Sequence, residues 1–204
     1  MGRASNARNQ LIEAILDLMW VQNYSSLTID AICDAAGVRK GSFYHFFKSK
    51  AELTQTAFEH AWEANIQPRL DTLYSPTRPP LERLRSHIAF IRELAAEKQA
   101  EHGRVLGCPF FNVGTEVSNV EPLLIEQLRD ILERYKRYLE SALRDAMAEG
   151  AVKADTSPEL LANFIFALIE GSLTEARISN DLGPIDRLPE AVDRFLHPTL
   201  AAIA

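Results

Sequence analysis

The chain has 204 residues, 47% of them hydrophobic and 25% charged, with two cysteines and a formal net charge of −6. Such a length holds one large or two small domains with a real core, and the composition is that of an ordinary globular protein, while two cysteines far apart exclude a disulfide framework or a zinc cluster. The longest apolar run, residues 160–169, spans ten residues, contains Asn163 and is too short to cross a bilayer; residues 1–10 lack the apolar stretch of a secretory signal, so a cytoplasmic location away from membranes is expected.

The chain reads as helical throughout, because no run alternates convincingly enough for a strand. Residues 8–22 place Leu11, Ile12, Ile15, Leu16, Leu18 and Met19 on one broad face, which makes a packing helix. Thr28 can cap the next helix by accepting from a free backbone N–H, and Asp30 in its first turn suits the positive end of the dipole. Ile29, Ile32 and Ala36 share one face of it. Gly37 supplies a left-handed residue that stops it sharply. A second short helix starts near Arg39. It turns Arg39, Lys40, Ser42, Tyr44 and His45 outward and Val38, Phe43 and Phe47 inward. Two helices joined by such a turn form a helix-turn-helix, whose second helix enters the DNA major groove.

Ser49 and Glu52 form a capping box that opens a helix running through Ala57, Phe58, Ala61 and Trp62 towards Pro68. The Pro-rich stretch 74–80 reads as a break and the best internal linker. Residues 81–101 repeat apolar side chains at Leu84, Ile88, Ile91, Leu94 and Ala95. Residues 102–122, with Gly103, Gly107, Pro109 and Gly114, form the least regular stretch. A long amphipathic helix over 123–149 is stopped by Gly150. Thr156, Ser157, Pro158 and Glu159 open an unusually apolar helix to about Ser179. A last helix covers roughly 187–203. The expectation is an all-α chain of about nine helices, with a DNA-binding head over 1–52 and a ligand-binding and dimerisation bundle over 53–204.

Charge follows this division. Residues 1–50 hold six Lys/Arg and four Asp/Glu, a net of +2, so the remainder carries −8. Screening acts over about 8 Å at physiological salt, so the local potential at the phosphates outweighs the net charge. A small basic head on an acidic body fits a DNA reader with a separate half of other purpose.

The run Gly37-Val38-Arg39-Lys40-Gly41-Ser42-Phe43-Tyr44-His45-Phe46-Phe47-Lys48-Ser49-Lys50 resembles the signature of the TetR family of bacterial one-component transcriptional regulators. The likeness covers roughly the first quarter of the chain and is highly specific; the rest is similar only in length and helical layout. It implies a three-helix head, a larger helical bundle, double-stranded operator DNA and a second copy of the chain as partners, and a small-molecule effector. Arg39, Lys40 and His45 then contact phosphates and base edges, with a solvated basic face as the plainer alternative. Gly41 and Ser42 leave room for close approach. Tyr44 projects its hydroxyl to a phosphate, as the family pattern implies, and Thr28 and Lys50 begin helices whose N–H groups attract one; for Thr28 the cap alone is a sufficient role.

The segment from Gly107 to Asn112, GCPFFN, resembles a subset of TetR-like regulators, some of which sense electrophiles or oxidants through the cysteine. A reactive thiol needs a nearby cation or helix N-terminus, and Arg104 and Arg177 are candidates. Cys108 as a small packing residue is the preferred reading, and Cys33 reads as inert core. His87, Phe90, Cys108, Phe110, Phe111, Asn112, Glu116 and Phe166 are candidate lining for an effector pocket, because such pockets are mostly apolar with a few placed polar groups. Phe164, Leu168, Gly171, Ser172, Val192 and Phe195 are candidate dimerisation residues, since a helix apolar nearly all round needs more than one partner. No cofactor, metal or catalytic residue is expected. His60 and Glu63 lack further ligands, Ser172 sits in no nucleophile elbow, and there is no Gly-rich phosphate loop. The expected function is a repressor released from its operator by a ligand. The alternative on the same scaffold is a switch through covalent modification of Cys108.

Overall fold

In the computed structural model, residues 2–117, 121–153 and 155–197 are described, with side chains from Asn6 onward. The elements in chain order are α1 (Gly2–Val21), a 3₁₀ turn (Tyr24–Ser26), α2 (Ile29–Ala36), α3 (Lys40–Phe46), α4 (Lys50–Ala61), a π-helical turn (Trp62–Ile66) and α5 (Gln67–Leu73). They continue with α6 (Pro80–His102), α7 (Pro109–Val117), α8 (Pro122–Ala148), α9 (Pro158–Ser179), α10 (Gly183–Asp186) and α11 (Leu188–Leu196). The described residues are all-α. With α4, the π turn and α5 taken as one helix and the single turn α10 set aside, nine helices run through them, the number expected.

Local chemistry sets the helix ends. Thr28 Oγ1 accepts from the Ala31 N–H at 3.1 Å, and Gly37 ends α2 at φ 63°. Ser49 Oγ accepts from the Glu52 N–H at 3.1 Å, while Glu52 reaches back to the Lys48 N–H at 2.7 Å, so the capping box closes one residue early. Ser157 Oγ accepts from the Leu160 N–H at 3.1 Å, and Asn180, in the left-handed region, ends α9. Pro68 is the second residue of α5 and has no N–H to donate. The π turn before it, where the Gln67 N–H donates five residues back to Trp62 O, accommodates the proline without ending the helix.

Two departures from the sequence reading stand out. The stretch expected to be irregular contains α7. Pro109 occupies a first-turn position where its missing N–H is harmless, the Asn112 N–H donates to Cys108 O at 2.9 Å, and Val113 and Val117, one turn apart, are buried. The Pro-rich 74–80 break is a pinned turn: Arg83, almost wholly buried, donates to Arg78 O at 2.8 Å and Pro76 O at 3.2 Å and pairs with Asp145 at 2.5 Å. The last helix ends at Leu196 with His197 as its cap, and residues 198–203 of the span expected for it lie outside the described residues.

The chain divides into two compact units, Met1–Pro68 with Cys108–Ile131, and Arg69–Gly107 with Leu132–Ala204. In the first, α1 packs on α2, α3 and α4, and α7 packs on α1 and the Tyr24–Ser26 turn. Leu11, Ile15, Ile32, Phe43, Leu53 and Phe58 fill its core, each contributing roughly 1.5–3 kcal/mol by leaving water. In the second, α9 packs on α10 and α11, and α11 on α6. Tyr135 of α8 meets Phe166 of α9 edge to face, with ring centroids 5.8 Å apart.

Candidate nucleic-acid interface

The head presents one polar face. Phe43 and Phe47 are buried beneath α3, and Ile32, Cys33 and Ala36 are buried beneath α2. With those positions turned inward, the helical period turns Arg39, Lys40, Gly41, Tyr44 and His45 outward, where all five are exposed; Ser42 is half-buried. Tyr44 is 54% exposed although aromatic, its ring set edge-on against Phe43 at 5.3 Å. The phenol is thus fixed at one end and offers its hydroxyl at the other. His45 stands edge-on to Phe46 at 4.8 Å.

Lys40 Nζ lies 2.8 Å from Asp30 of α2, both exposed. The hydrogen bond to Asp30 raises the Lys40 pKa, so the ammonium stays charged while remaining free to swing to a phosphate. An added Cβ at Gly41 would meet nothing within 4 Å; the space above this residue is open. Cys33 is buried, and burial, followed by Asp30 and Asp34, pushes its thiol pKa up, which makes it an inert packing residue.

Lys50 is turned inward. Its ammonium donates to Tyr24 O at 2.6 Å and Leu27 O at 2.7 Å and lies 4.1 Å from the centre of the Tyr24 ring. Desolvation lowers its pKa. Lys48 and Ser49, just ahead of α4, are exposed, while Lys50 itself is half-buried. Burial raises the Tyr24 hydroxyl to about 12, so it stays a neutral phenol.

The candidate pocket residues fall on both units. On the first, Phe110 packs on Phe58 with centroids 4.7 Å apart, Cys108 and Phe111 are half-buried, and Asn112 belongs to the first turn of α7. Glu116 is turned to the head: it accepts from the Tyr24 N–H at 3.2 Å, the Ser25 N–H at 2.9 Å and the Ser25 hydroxyl at 2.8 Å. On the second unit, His87 is buried between the Tyr74 and Tyr135 hydroxyls, Phe166 borders Tyr135, and Phe90 lies beneath the Arg69 guanidinium at 4.8 Å.

The second unit also carries an apolar stripe in the open. Leu160, Phe164 and Ile178 of α9 are 44%, 47% and 82% exposed, and Phe195 of α11 is 37% exposed. Phe164 and Phe195 touch edge to face at 5.7 Å. Gly171 is exposed with open space at its Cβ position; Leu168 and Ser172 are half-buried, and Val192 points into the unit. Sequence reasoning missed Leu160 and Ile178, which helical spacing from Phe164 and Gly171 would have found, and the inward turn of Lys50 and Glu116, which no local signal betrays. Among the described residues, no helix is long and apolar enough to cross a membrane and no cluster of three metal-binding side chains occurs.

A capped helix-turn-helix presenting a basic, hydroxyl-rich second helix, joined to a larger helical body, defines a DNA-binding transcriptional regulator. Residues 11–57 match "Bacterial regulatory proteins, tetR family" and residues 80–192 match "Tetracyclin repressor-like, C-terminal domain". The chain belongs to the TetR family. It is 34% identical to the transcriptional regulator AcuR of Cereibacter sphaeroides over 86% of this chain and 78% of that protein. It is 25% identical to the HTH-type transcriptional repressor DhaR of Mycobacterium sp. strain GP1, over 97% and 96% of the two chains. The crystal structure of regulatory protein TetR from Rhodobacter sphaeroides superposes with a TM-score of 0.81 at 31% identity, over 92% of this chain and 97% of that one. These similar proteins carry the names of regulators.

Proposed function

We propose that the chain is a repressor that binds a pseudo-palindromic operator as a homodimer and leaves it when a small molecule binds the body. The outward face of α3 carries this reading. Arg39, Lys40, Ser42, Tyr44 and His45 supply cationic and hydroxyl donors on a helix short enough to lie in the major groove, and Thr28 and Lys50 begin helices whose N–H groups suit a phosphate. The functional division is a DNA-reading head over 1–52 and a ligand-binding and dimerisation body over 53–204. A protein of this kind works in the cytoplasm, where the DNA is. The exposed stripe of α9 with Phe195 supports an isologous contact between two copies that includes Phe164, Leu168, Gly171 and Ser172, while Val192, buried within its own chain, supports α11 from beneath. For effector recognition the candidates are His87, Phe90 and Phe166 within the second unit, and Phe110, Phe111 and Asn112 within the first, each set taken by itself.

The test is a duplex enriched from a random-sequence library by the wild-type chain, followed by gel shifts at physiological salt. Lys40→Ala and His45→Ala should bind it at least roughly tenfold more weakly while circular dichroism stays unchanged; unchanged shifts for both would refute the assignment. A second reading has one observation in its favour: Cys108 is half-buried and immediately precedes α7, a position that favours thiolate. If the thiol is the switch, Cys108→Ser stays on the duplex under N-ethylmaleimide while wild type comes off. If a pocket ligand is the switch, Cys108→Ser and wild type respond alike to the effector.

A further inference from the structure

We infer that Glu116, outside the helix-turn-helix, is a positioning residue for operator recognition: its carboxylate caps the Tyr24–Ser26 turn and thereby fixes the helix-turn-helix that follows. The inference rests on the operator-binding reading above.

The turn has no cap of its own. Asn23 stands at the cap position and its side chain makes no capping hydrogen bond. The first N–H groups of a helical turn need acceptors, and here Glu116, more than ninety residues away in sequence, supplies them. One oxygen takes the Tyr24 N–H at 3.2 Å; the other takes the Ser25 N–H at 2.9 Å and the Ser25 hydroxyl at 2.8 Å. At the opposite pole the carbonyls of Tyr24 and Leu27 accept from the Lys50 ammonium at 2.6 and 2.7 Å. The turn is bracketed by a carboxylate at its amide end and an ammonium at its carbonyl end, each sign matched to the local dipole. Charged partners make these hydrogen bonds stronger than neutral ones.

The positions of the two brackets give the arrangement its consequence. The turn runs through Leu27, which is buried, straight into the Thr28 cap of α2. Lys50 opens α4, directly after α3. Lys50 therefore ties the start of the helix-turn-helix to its end, and Glu116 holds that tie from α7. A shift of α7 pulls on the backbone that enters α2, and no DNA-contacting side chain has to change. Ser25 is exposed, so the clamp can open without exposing core.

The experiment measures wild type, Glu116→Ala, Glu116→Gln and Ser25→Ala against two probes: the duplex enriched by the wild-type chain and a random-sequence duplex of equal length. Global destabilisation lowers both affinities by the same factor, because it only reduces the folded fraction. Loss of positioning lowers the first alone, since phosphate contacts tolerate a displaced helix and base contacts do not. Glu116→Ala should weaken the enriched duplex roughly tenfold, the scale of a lost charged hydrogen bond, and leave the random duplex within about twofold. Glu116→Gln should fall between, because its amide oxygen still accepts while its NH₂ faces donors. Ser25→Ala should cost a few-fold, and in the double variant it should add nothing to Glu116→Ala. An unchanged preference, or equal losses on both probes, overturns the inference. If Glu116→Ala fails to fold, Glu116→Gln and Ser25→Ala decide alone. A wild-type chain that enriches no sequence refutes the operator-binding reading instead.

Discussion

The hydroxyl of Tyr74 lies 2.6 Å from Nδ1 of His87, and Nε2 of the same ring is hydrogen-bonded to the Tyr135 hydroxyl, so a buried imidazole in the second unit has both nitrogens occupied. Burial pushes the His87 pKa from 6.5 down to about 3 and raises that of Tyr74. The ring is neutral, with one hydroxyl donating to it and the other accepting from it. Below pH 6.5 the unfolded chain protonates this histidine and the folded chain does not. The stability is therefore complete above the unfolded value and is lost as pH falls towards the folded one. Between pH 7 and pH 5 the loss from this group is about 2 kcal/mol. Denaturant titrations at the two pH values should show His87→Gln losing less than wild type by about that amount. Equal losses would mean that His87 is not held neutral.

Gly41 gives a prediction in which stability and function separate. It lies in α3, has ordinary helical backbone angles, and has nothing within 4 Å of where a Cβ would stand. Glycine in a helix is roughly 0.5–1 kcal/mol less favourable than alanine. Gly41→Ala should therefore raise the thermal midpoint. It should also weaken operator binding about tenfold, because the methyl group fills space that the DNA backbone needs and displaces base contacts. A variant that is more stable and binds equally well would remove Gly41 from the interface.

The parts of the head that sequence made legible are those set by neighbours within one helical turn. Thr28 and Ser49 cap as their spacing predicts, as Ser157 does in the second unit, and Gly37 takes the left-handed conformation for which a residue without Cβ is well suited. The alternation of Phe43 and Phe47 inward with Lys40, Tyr44 and His45 outward follows from the helical period alone. The assignments that sequence could not make depend on partners far along the chain. Glu116 reads as pocket lining until α7 brings it to Ser25. Lys50 opens α4 as its sequence position suggests, but the placement of its ammonium on the Tyr24 and Leu27 carbonyls depends on residues well upstream in the chain. Val192 and Phe195 both look apolar, and only the packing of α11 on α9 turns the first inward and leaves the second outside. Segment α7 was hidden because Pro109 and Gly114 are breakers by composition, whereas Pro109 is harmless in a first turn and a Cβ on Gly114 would only touch Leu128 at 3.7 Å.

The exposed pair Lys40–Asp30, 2.8 Å apart, predicts opposite effects from its two members. An exposed ion pair adds little to folding, so neither substitution should move the thermal midpoint much. Lys40→Ala removes one phosphate contact and should reduce the slope of log affinity against log salt by about one. Asp30→Asn frees the ammonium and removes a negative charge beside the DNA, so affinity for any duplex should rise a few-fold. A salt titration of both variants checks this; loss of affinity in Asp30→Asn would mean that Asp30 positions Lys40 for a specific contact.

The stripe Leu160, Phe164 and Ile178 with Phe195 predicts assembly. Large apolar side chains that cluster in the open mark an interaction surface, and here two aromatic rings already touch each other at 5.7 Å across α9 and α11. A two-fold axis through this stripe lets the same side chains meet their own copies, and Gly171, with no side chain to intervene, allows two α9 helices to approach closely. Phe195→Arg places a charge at the edge of that contact, and Phe164→Glu places one of the other sign near its middle. Each should shift wild-type dimers to monomers in light scattering at micromolar concentration, and the circular dichroism of the monomers should stay helical because neither ring is buried within its own chain. Mixing the two variants should restore dimers in part, since arginine then faces glutamate. A wild-type chain that stays monomeric without DNA, or single variants that remain dimeric, would place the contact between copies elsewhere.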